Sequence, residues 1–528
     1  MEAMGKEMVK HCGGLPLAVK VLGGLLVNKH TVHEWKRVSD NIGDQIVGKS
    51  CLNDNSLNSV NRILSLSYED LPTHLKHCFL YLAHYREDSK IYMWNLFNYW
   101  AAEGICYGST IRDSGEDYLE ELNIDMMREV CLSKAKEENF LQIIKVPTST
   151  STINAQSPSR SRRLTIRSGK AFHILGHKNN KKVRSLIVLG LEEDFWIQSA
   201  SVFQNLPLLR VLDLTEVKFK GGKLPSSIGG LIHLRFLSLD DAGVSQLPSS
   251  MRNLKLLLYL DLSVAAEEPV HVPNVLKEML ELRNLVLPHK MHDKTKLELG
   301  DLVNLVHLWY FSTQHSSVTD LLRMTKLRYL SVSLSERCTF ETLSSSLRKL
   351  RNLETLYLDF RYKTYTVDYV GELDLDFIHL KELGLRGRMS KIPDQHQFPP
   401  HLEHISLFDC RMEEDPMPIL EKLLHLKSVK LGSDAFVGRK MLCSKGGFPQ
   451  LRALEINEES ELEEWIVEEG SMPCLCTLNI DDCKKLKELP DGLKYITSLK
   501  ELKIKRMKRE WKEKLVPGTH SRCSIYQL

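Results

Sequence analysis

The chain has 528 residues and a mass of 60.6 kDa, room for several domains at roughly 150 residues each, or for fewer where part of it is a repeat array. Its 71 Lys and Arg against 68 Asp and Glu leave a formal charge of +3, which gives no global electrostatic case for attraction to nucleic acid or an anionic membrane. With 42% hydrophobic residues, 26% charged residues and a mean hydropathy of −0.23 it is neither a disordered nor a membrane-embedded chain.

No transmembrane segment is expected: the longest apolar run, Gly13 to Val27, is broken by Pro16 and Lys20 and is too short to span a bilayer. Met1 to Lys6 lacks the basic flank and apolar stretch of a secretory leader. The 12 cysteines contain no Cys-x-x-Cys pair, so free thiols and a cytoplasmic address are expected. Cys474-x-Cys476 with Cys483 lacks paired knuckle spacing, and no metal is assigned to it.

Residues 1–145 read as helical. Val19, Leu22 and Leu26, and Leu15, Ala18 and Leu25, recur at helical spacing, and Pro16 suits a first helical turn. Further helices are expected around 33–42, 60–66, 75–83, 91–104 and 114–135. A Ser, Thr, Pro and Arg-rich stretch from Pro147 to Arg163 has no periodicity and reads as a linker.

Of the 86 leucines, 66 fall after residue 182, so the chain changes character there. Leu-x-x-Leu-x-Leu or its aliphatic equivalent starts at Leu209, Leu234, Leu257, Leu282, Leu327, Leu353 and Leu380, then at Leu402, Leu426, Leu451, Leu475 and Leu499. With a first copy at Val183 and an irregular one at Leu305, the 14 starts lie 22 to 27 residues apart, the leucine-rich-repeat period. Each hexamer is expected to be a short strand that buries its leucines against the neighbouring repeats and turns its other residues outward on a concave binding surface. Pro225 and Pro248, in Leu-Pro-Ser-Ser, end the strand and start the return of the chain.

The first outward slot is cationic in Arg210, Arg235, Arg283, Arg328, Lys381, Lys427, Arg452 and Lys500, which reads either as a basic column or as long cations keeping the face soluble. Aromatic residues occupy outward slots at Phe236, Tyr259, Trp309, Tyr329 and Tyr357 and are the candidate partner-binding residues, since such side chains anchor protein interfaces. The acidic segment Glu455 to Glu469 is the alternative surface.

Four motifs occur in order before the repeats: Gly13-Gly14-Leu15-Pro16-Leu17-Ala18, Leu66-Ser67-Tyr68-Glu69-Asp70-Leu71-Pro72, Leu75 to Ala83 (LKHCFLYLA) and Tyr99-Trp100-Ala101-Ala102-Glu103-Gly104. They resemble successive motifs of the NB-ARC module of plant intracellular NB-ARC leucine-rich-repeat immune receptors, the coiled-coil class best of all. The resemblance covers nearly the whole chain. It implies an α+β repeat protein, with the C-terminal part of an NB-ARC helical domain at 1–50 and an incomplete winged-helix domain at 51–145. A linker at 146–164, a leucine-rich-repeat solenoid at 165–515 and a tail at 516–528 follow.

In that family the module switches between ADP and ATP, and the repeats recognise a pathogen effector or a guarded host protein. Relative to the family the chain starts just before Gly-Leu-Pro-Leu, so the P-loop and the magnesium-binding strand are expected to be missing. Gly14, Leu15, Pro16, Leu17 and Asp125 are then the remnants of the nucleotide site, with Ile124 standing where the phosphate-sensing His would be and the strand hairpin that the family has before it expected to be absent, since Asn123 follows directly on a helix at 116–122. No cofactor, no catalysed reaction and no oligomer are expected, and the address is cytoplasmic or peripheral at the plasma membrane. Without their family partners, apolar faces such as Leu22, Leu25 and Phe79 are expected to be exposed.

Two further motifs are set aside. Gly43 to Ser50 matches G-x-x-x-x-G-K-S, but it follows a helix rather than a strand, so it lacks the turn that cradles phosphate. Met291-His292-Asp293 lies between two repeat strands and reads as loop. Two other functions stay open: an active ADP/ATP-switch NTPase, which requires Gly43 to Ser50 to hold phosphate, and a leucine-rich-repeat ubiquitin-ligase adaptor, which requires a ligase-binding helix set at the N-terminus.

Overall fold

The computed structural model describes residues 1–12, 16–27, 29–43, 63, 65–69, 71–85, 93–105, 124–144, 161–167, 181–188, 196–197, 202–336, 338–361, 375, 377–507 and 524–527. They form two compact units, Met1–Leu260 with Val264–Ala266, and Asp261–Ser263 with Glu267–Leu528.

In the first unit the helices α1 (Glu2–Lys10), α2 (Pro16–Val27), α3 (Val32–Gly43), α4 (Thr73–Tyr81), α5 (Met93–Glu103) and α6 (Ile124–Glu137) precede the sheet. α3 starts on a capping box: the Glu34 N–H donates to Thr31 Oγ1 at 3.2 Å, and the Thr31 N–H donates back to Glu34 Oε2 at 2.9 Å. α4 starts directly after Pro72, whose ring forbids the helix from extending backwards. α6 begins at Ile124, and residues 106–123, where the family's hairpin is expected to be absent, lie outside the described residues.

The parallel sheet of this unit runs β1 (Gln142–Ile144), β2 (Arg163–Ile166), β3 (Ser185–Val188), β4 (Val211–Asp213), β5 (Phe236–Ser238) and β6 (Tyr259–Asp261). β1 pairs with β2 in the register Gln142 to Leu164, so the sheet starts before the expected linker and β2 begins inside it. Short strands of isolated aliphatics, such as Gln142-Ile143-Ile144, show no repeat hexamer and become strands because an edge is there to pair with.

Leu22, Leu25 and Phe79 are 2%, 7% and 5% exposed, which corrects the expectation of bare apolar faces. They belong to one core that joins the helices to Ile187, Val211, Phe236 and Tyr259 on the open face of the first strands. The solenoid itself supplies the cover that another domain was expected to give.

In the second unit the parallel strands are β7 (Asn284–Val286), β8 (His307–Ser312), β9 (Tyr329–Ser333), β10 (Thr355–Asp359), β11 (Glu382–Arg386), β12 (His404–Phe408), β13 (Ser428–Gly432), β14 (Ala453–Asn457), β15 (Thr477–Asp481), β16 (Glu501–Lys505) and β17 (Ser524–Gln527). The leucine slots stack in register, Leu356 beside Leu383 and Leu358 beside Leu385, and are essentially fully buried. Each such leucine contributes roughly 2 kcal/mol from burial alone, which no single repeat could obtain.

From β12 to β16 each strand is followed by a left-handed residue at the same place, Asp409, Ser433, Glu458, Asp482 and Arg506, with φ between 51° and 57°. That conformation turns the chain out of the sheet. The tail, read from sequence as a break in the repeats, returns at Ser524–Gln527 as a further parallel strand on β16. Among the described residues no helix is long and apolar enough to cross a membrane.

Candidate recognition groove on the repeat sheet

The five aromatic residues predicted to face a partner fall into two sets with different surroundings. In the first unit Phe236 is fully buried and Tyr259 is 2% exposed, so the reading of them as partner anchors is corrected. Their rings are parallel with centroids 4.4 Å apart, and Tyr99 of α5 packs edge-on against Phe236 at 4.7 Å. Outward slots of a strand are free only where nothing folds onto them, and here α5 does.

That contact is polar as well as aromatic. Tyr99 Oη donates to Asp213, whose carboxylate also accepts Thr215 Oγ1 at 2.6 Å. Burial raises the Asp213 carboxyl, with those hydrogen bonds opposing it. Glu103 accepts Tyr81 Oη at 2.8 Å and Arg163 Nη2 at 2.8 Å, and Ser185 Oγ also donates to it. Burial disfavours its charge, but Arg163, Ser185 and Tyr81 outweigh burial and hold its carboxyl below the ordinary value. The Ala-Ala-Glu-Gly motif thus places a buried, fully paired carboxylate against β2 and β3.

In the second unit Trp309, Tyr329 and Tyr357 are half-buried and touch in sequence, Trp309 to Tyr329 at 4.7 Å and Tyr329 to Tyr357 at 5.9 Å between ring centroids. His307 stacks on Trp309 at 5.4 Å. Tyr357 Oη donates to Glu382, and burial followed by that bond pushes its hydroxyl well up, so it remains a donor. Burial likewise raises the Tyr329 hydroxyl.

Beside this wall lies a groove of about 780 Å³, lined by Tyr310, Tyr329 and Tyr357 over a floor of small residues that includes Ser331, Ser333 and Gly384. Tyr310 was not read from the sequence. Leu308 and Phe311 register with Leu330 and Val332, so Trp309 and Tyr310 together oppose the single Ser331 in a β-bulge. Tyr310 takes φ +58° and its ring lies on His289, with centroids 3.8 Å apart. The signal was present in the irregular hexamer at Leu305, where Phe311 rather than residue 310 takes the core slot.

The rim carries charge of both signs. Arg361 forks onto Asp359, Nε to Oδ1 at 3.0 Å and Nη2 to Oδ2 at 2.7 Å, and Arg386 is the register partner of Asp359. The basic column is not one in this unit: Glu354 and Glu403 alternate with its cations. Arg328 pairs with Glu354 at 2.5 Å and Lys427 with Glu403 at 2.8 Å. The acidic segment is laddered in the same way, with Lys430 on Glu455, Lys485 on Glu461 and Lys487 on Glu463 at 2.7 to 3.0 Å.

Of the nucleotide-site remnants, Gly14 and Leu15 lie outside the described residues. Pro16 and Leu17 open α2 and Asp125 lies in the first turn of α6, all three with side chains outside the description. Gly43 ends α3, and 44–50 are likewise not described. Met291 to Asp293 is loop between β7 and β8, with Asp293 Oδ1 accepting Gln314 Nε2 at 3.1 Å.

Residues 182–517 match the leucine-rich repeat region family, which is more than half of the chain. The chain is 78% identical over 540 residues to the disease resistance RPP8-like protein 4 of Arabidopsis thaliana, spanning 98% of this chain and 60% of that one. It is 77% identical over 540 residues to disease resistance protein RPP8 of the same plant, with the same coverage. To the relative named putative inactive disease susceptibility protein LOV1 of A. thaliana it is 62% identical over 497 residues, 89% of this chain and 68% of that one. The chain belongs to the leucine-rich-repeat disease resistance proteins. The chain spans about 60% of the length of the first two relatives. Among solved structures a leucine-rich-repeat protein of Leptospira interrogans is 19% identical over 75% of this chain and 98% of that one, at a TM-score of 0.40.

Proposed function

We propose that this disease resistance protein acts in plant defence as a receptor that recognises a protein partner, a pathogen effector or a guarded host protein, on the open sheet face of its second unit. It works in the cytoplasm or at the plasma-membrane periphery, catalyses no reaction, and does not run as a nucleotide switch. The observation that carries this reading is the contiguous wall of Trp309, Tyr329 and Tyr357 beside a groove floored by small residues. Half-buried, mutually packed aromatics offer large contact area at low entropic cost, which is what interface anchors require. The charged rim of Asp359, Arg361 and Arg386 adds selectivity and on-rate more than affinity.

A photo-crosslinking residue placed at Tyr329 in plant cells under pathogen challenge tests this. A discrete partner adduct is expected there and not at Lys485, in the ion-pair ladder of the acidic segment. Adducts at Lys485 alone would move the recognition surface and overturn the assignment.

A further inference from the structure

The groove beside the aromatic wall stays within the second unit and runs across the sheet, from Lys290 in the loop after β7 to Phe408 on β12. Five strand pairings separate β7 from β12, which makes it about 24 Å long at about 4.8 Å between strands. A ligand that fills it is therefore elongated, and an extended peptide of about seven residues spans it at roughly 3.3 Å per residue.

The lining charges are unevenly used. Asp359 stands in register with Arg386 but is held by the fork of Arg361, and Asp293 accepts Gln314 Nε2. Lys290 and Arg386 are exposed and form no ion pair with a described residue. Along the rest of the face cations are neutralised, Arg328 by Glu354, Lys430 by Glu455 and Arg506 by Asp481. Four of the five pairings separate the strands that carry Lys290 and Arg386, about 19 Å. Between them lie the rings of Tyr310, Tyr329 and Tyr357 and the small hydroxyl side chains of Ser331 and Ser333, which leave room for a main chain and offer it hydrogen bonds. A uniformly charged polyanion does not match this pattern, because Asp293 and Asp359 stand among the cations and repel it.

Resting on the recognition surface described above, we propose that the partner enters this groove as an extended acidic segment. Two of its carboxylates, about six residues apart along an extended chain, meet Lys290 and Arg386. An apolar side chain between them packs against Tyr329 and Tyr357, and its main chain crosses Ser331 and Ser333.

Fluorescence anisotropy of the full chain with a labelled synthetic peptide tests this, the peptide carrying two aspartates six residues apart with alanine and phenylalanine between them. It is expected to bind about tenfold or more tightly than versions with asparagine or lysine in both places, by a margin that shrinks with added salt. Arg386→Glu and Arg386→Gln are each expected to weaken the aspartate peptide by about tenfold or more. Arg351→Glu, a change of charge at an exposed residue outside the groove, is expected to leave it unaltered. Equal binding of the aspartate and asparagine peptides, no saturable binding to the natural chain, or binding unchanged in both Arg386 variants overturns the acidic segment. Displacement of the peptide by oligogalacturonate, a uniformly acidic oligosaccharide, overturns it as well. None of these outcomes bears on the crosslink expected at Tyr329, which judges the recognition surface by itself.

Discussion

The ring of Tyr357 fills the space above Gly384 that any side chain would occupy: a Cβ built on Gly384 would lie 2.1 Å from Tyr357 Cδ1. Glycine is required there by close approach, not by its backbone angles, and it lets the tyrosine lie across β11 and reach Glu382. Gly384→Ala is expected to destabilise the second unit by about 1–3 kcal/mol, or to turn Tyr357 away from Glu382 and weaken partner binding. Chemical denaturation together with tyrosine fluorescence checks this, and a variant unchanged in both would show that the ring does not lie there.

The two units should respond to pH in opposite directions. In the first, His84 is buried and its Nδ1 lies 2.6 Å from Thr165 Oγ1; burial, then Arg163 and Arg167, hold it at about 3. Between that value and the ordinary 6.5 the unfolded chain takes up a proton that the folded one refuses. Stability is therefore full above the ordinary value and falls as the pH drops towards the lower one.

In the second unit, burial pushes the Glu459 carboxyl up to about 8, opposed by the Phe436 and Ala435 N–H groups at 2.9 and 3.2 Å. Here the folded chain keeps a proton that the unfolded chain releases above 4.5, so stability declines as pH rises through about 8. Asp415, raised by burial to about 6, contributes in the same sense at lower pH. Hydrogen exchange measured by mass spectrometry from roughly pH 5 to 9 resolves the units. Glu459→Gln is expected to flatten the decline in the second unit above about pH 6. An unaltered slope would place that dependence elsewhere.

The helices of the first unit should not separate from the first repeats. Tyr99 and Phe79 share one core with Val211 and Phe236, and Glu103 is tied to Arg163 across the expected linker. Cutting at an engineered protease site within 147–160 is expected to leave both pieces together on gel filtration under native conditions. Release of a helical fragment would contradict the shared core.

Neither ATP nor ADP is expected to bind specifically. Phosphate binding needs a glycine turn between strand and helix together with a metal-holding carboxylate, whereas Gly43 closes the helix α3. Saturable micromolar binding that is lost in Lys49→Ala would instead support a working nucleotide switch.

The repeat period and the helices around Pro16, Pro72 and Trp100 were legible because each depends on local spacing. The fate of an outward slot was not. Phe236 and Tyr329 stand in comparable positions of their hexamers, and only the packing of Tyr99 onto one of them decides which is covered. The two readings of the cationic slots, a basic column or solubilising cations, are separated only once Glu354 and Glu403, in the same slots of intervening repeats, are counted beside the cations they pair with. The final strand at Ser524–Gln527 has no hexamer to announce it and forms because β16 offers an unpaired edge.

Recognition through the aromatic wall is tested most directly by measuring the affinity of a partner captured at Tyr329 for the purified chain and for its Trp309→Ala plus Tyr329→Ala variant. Truncating central aromatic anchors typically costs roughly 2 kcal/mol or more, so binding should weaken by about 30-fold or beyond. Circular dichroism should be unchanged, because both rings are only half-buried on the open face while the leucine core behind them is intact. Binding retained in the folded double variant would contradict the assignment and send the search to the acidic segment Glu455 to Glu469.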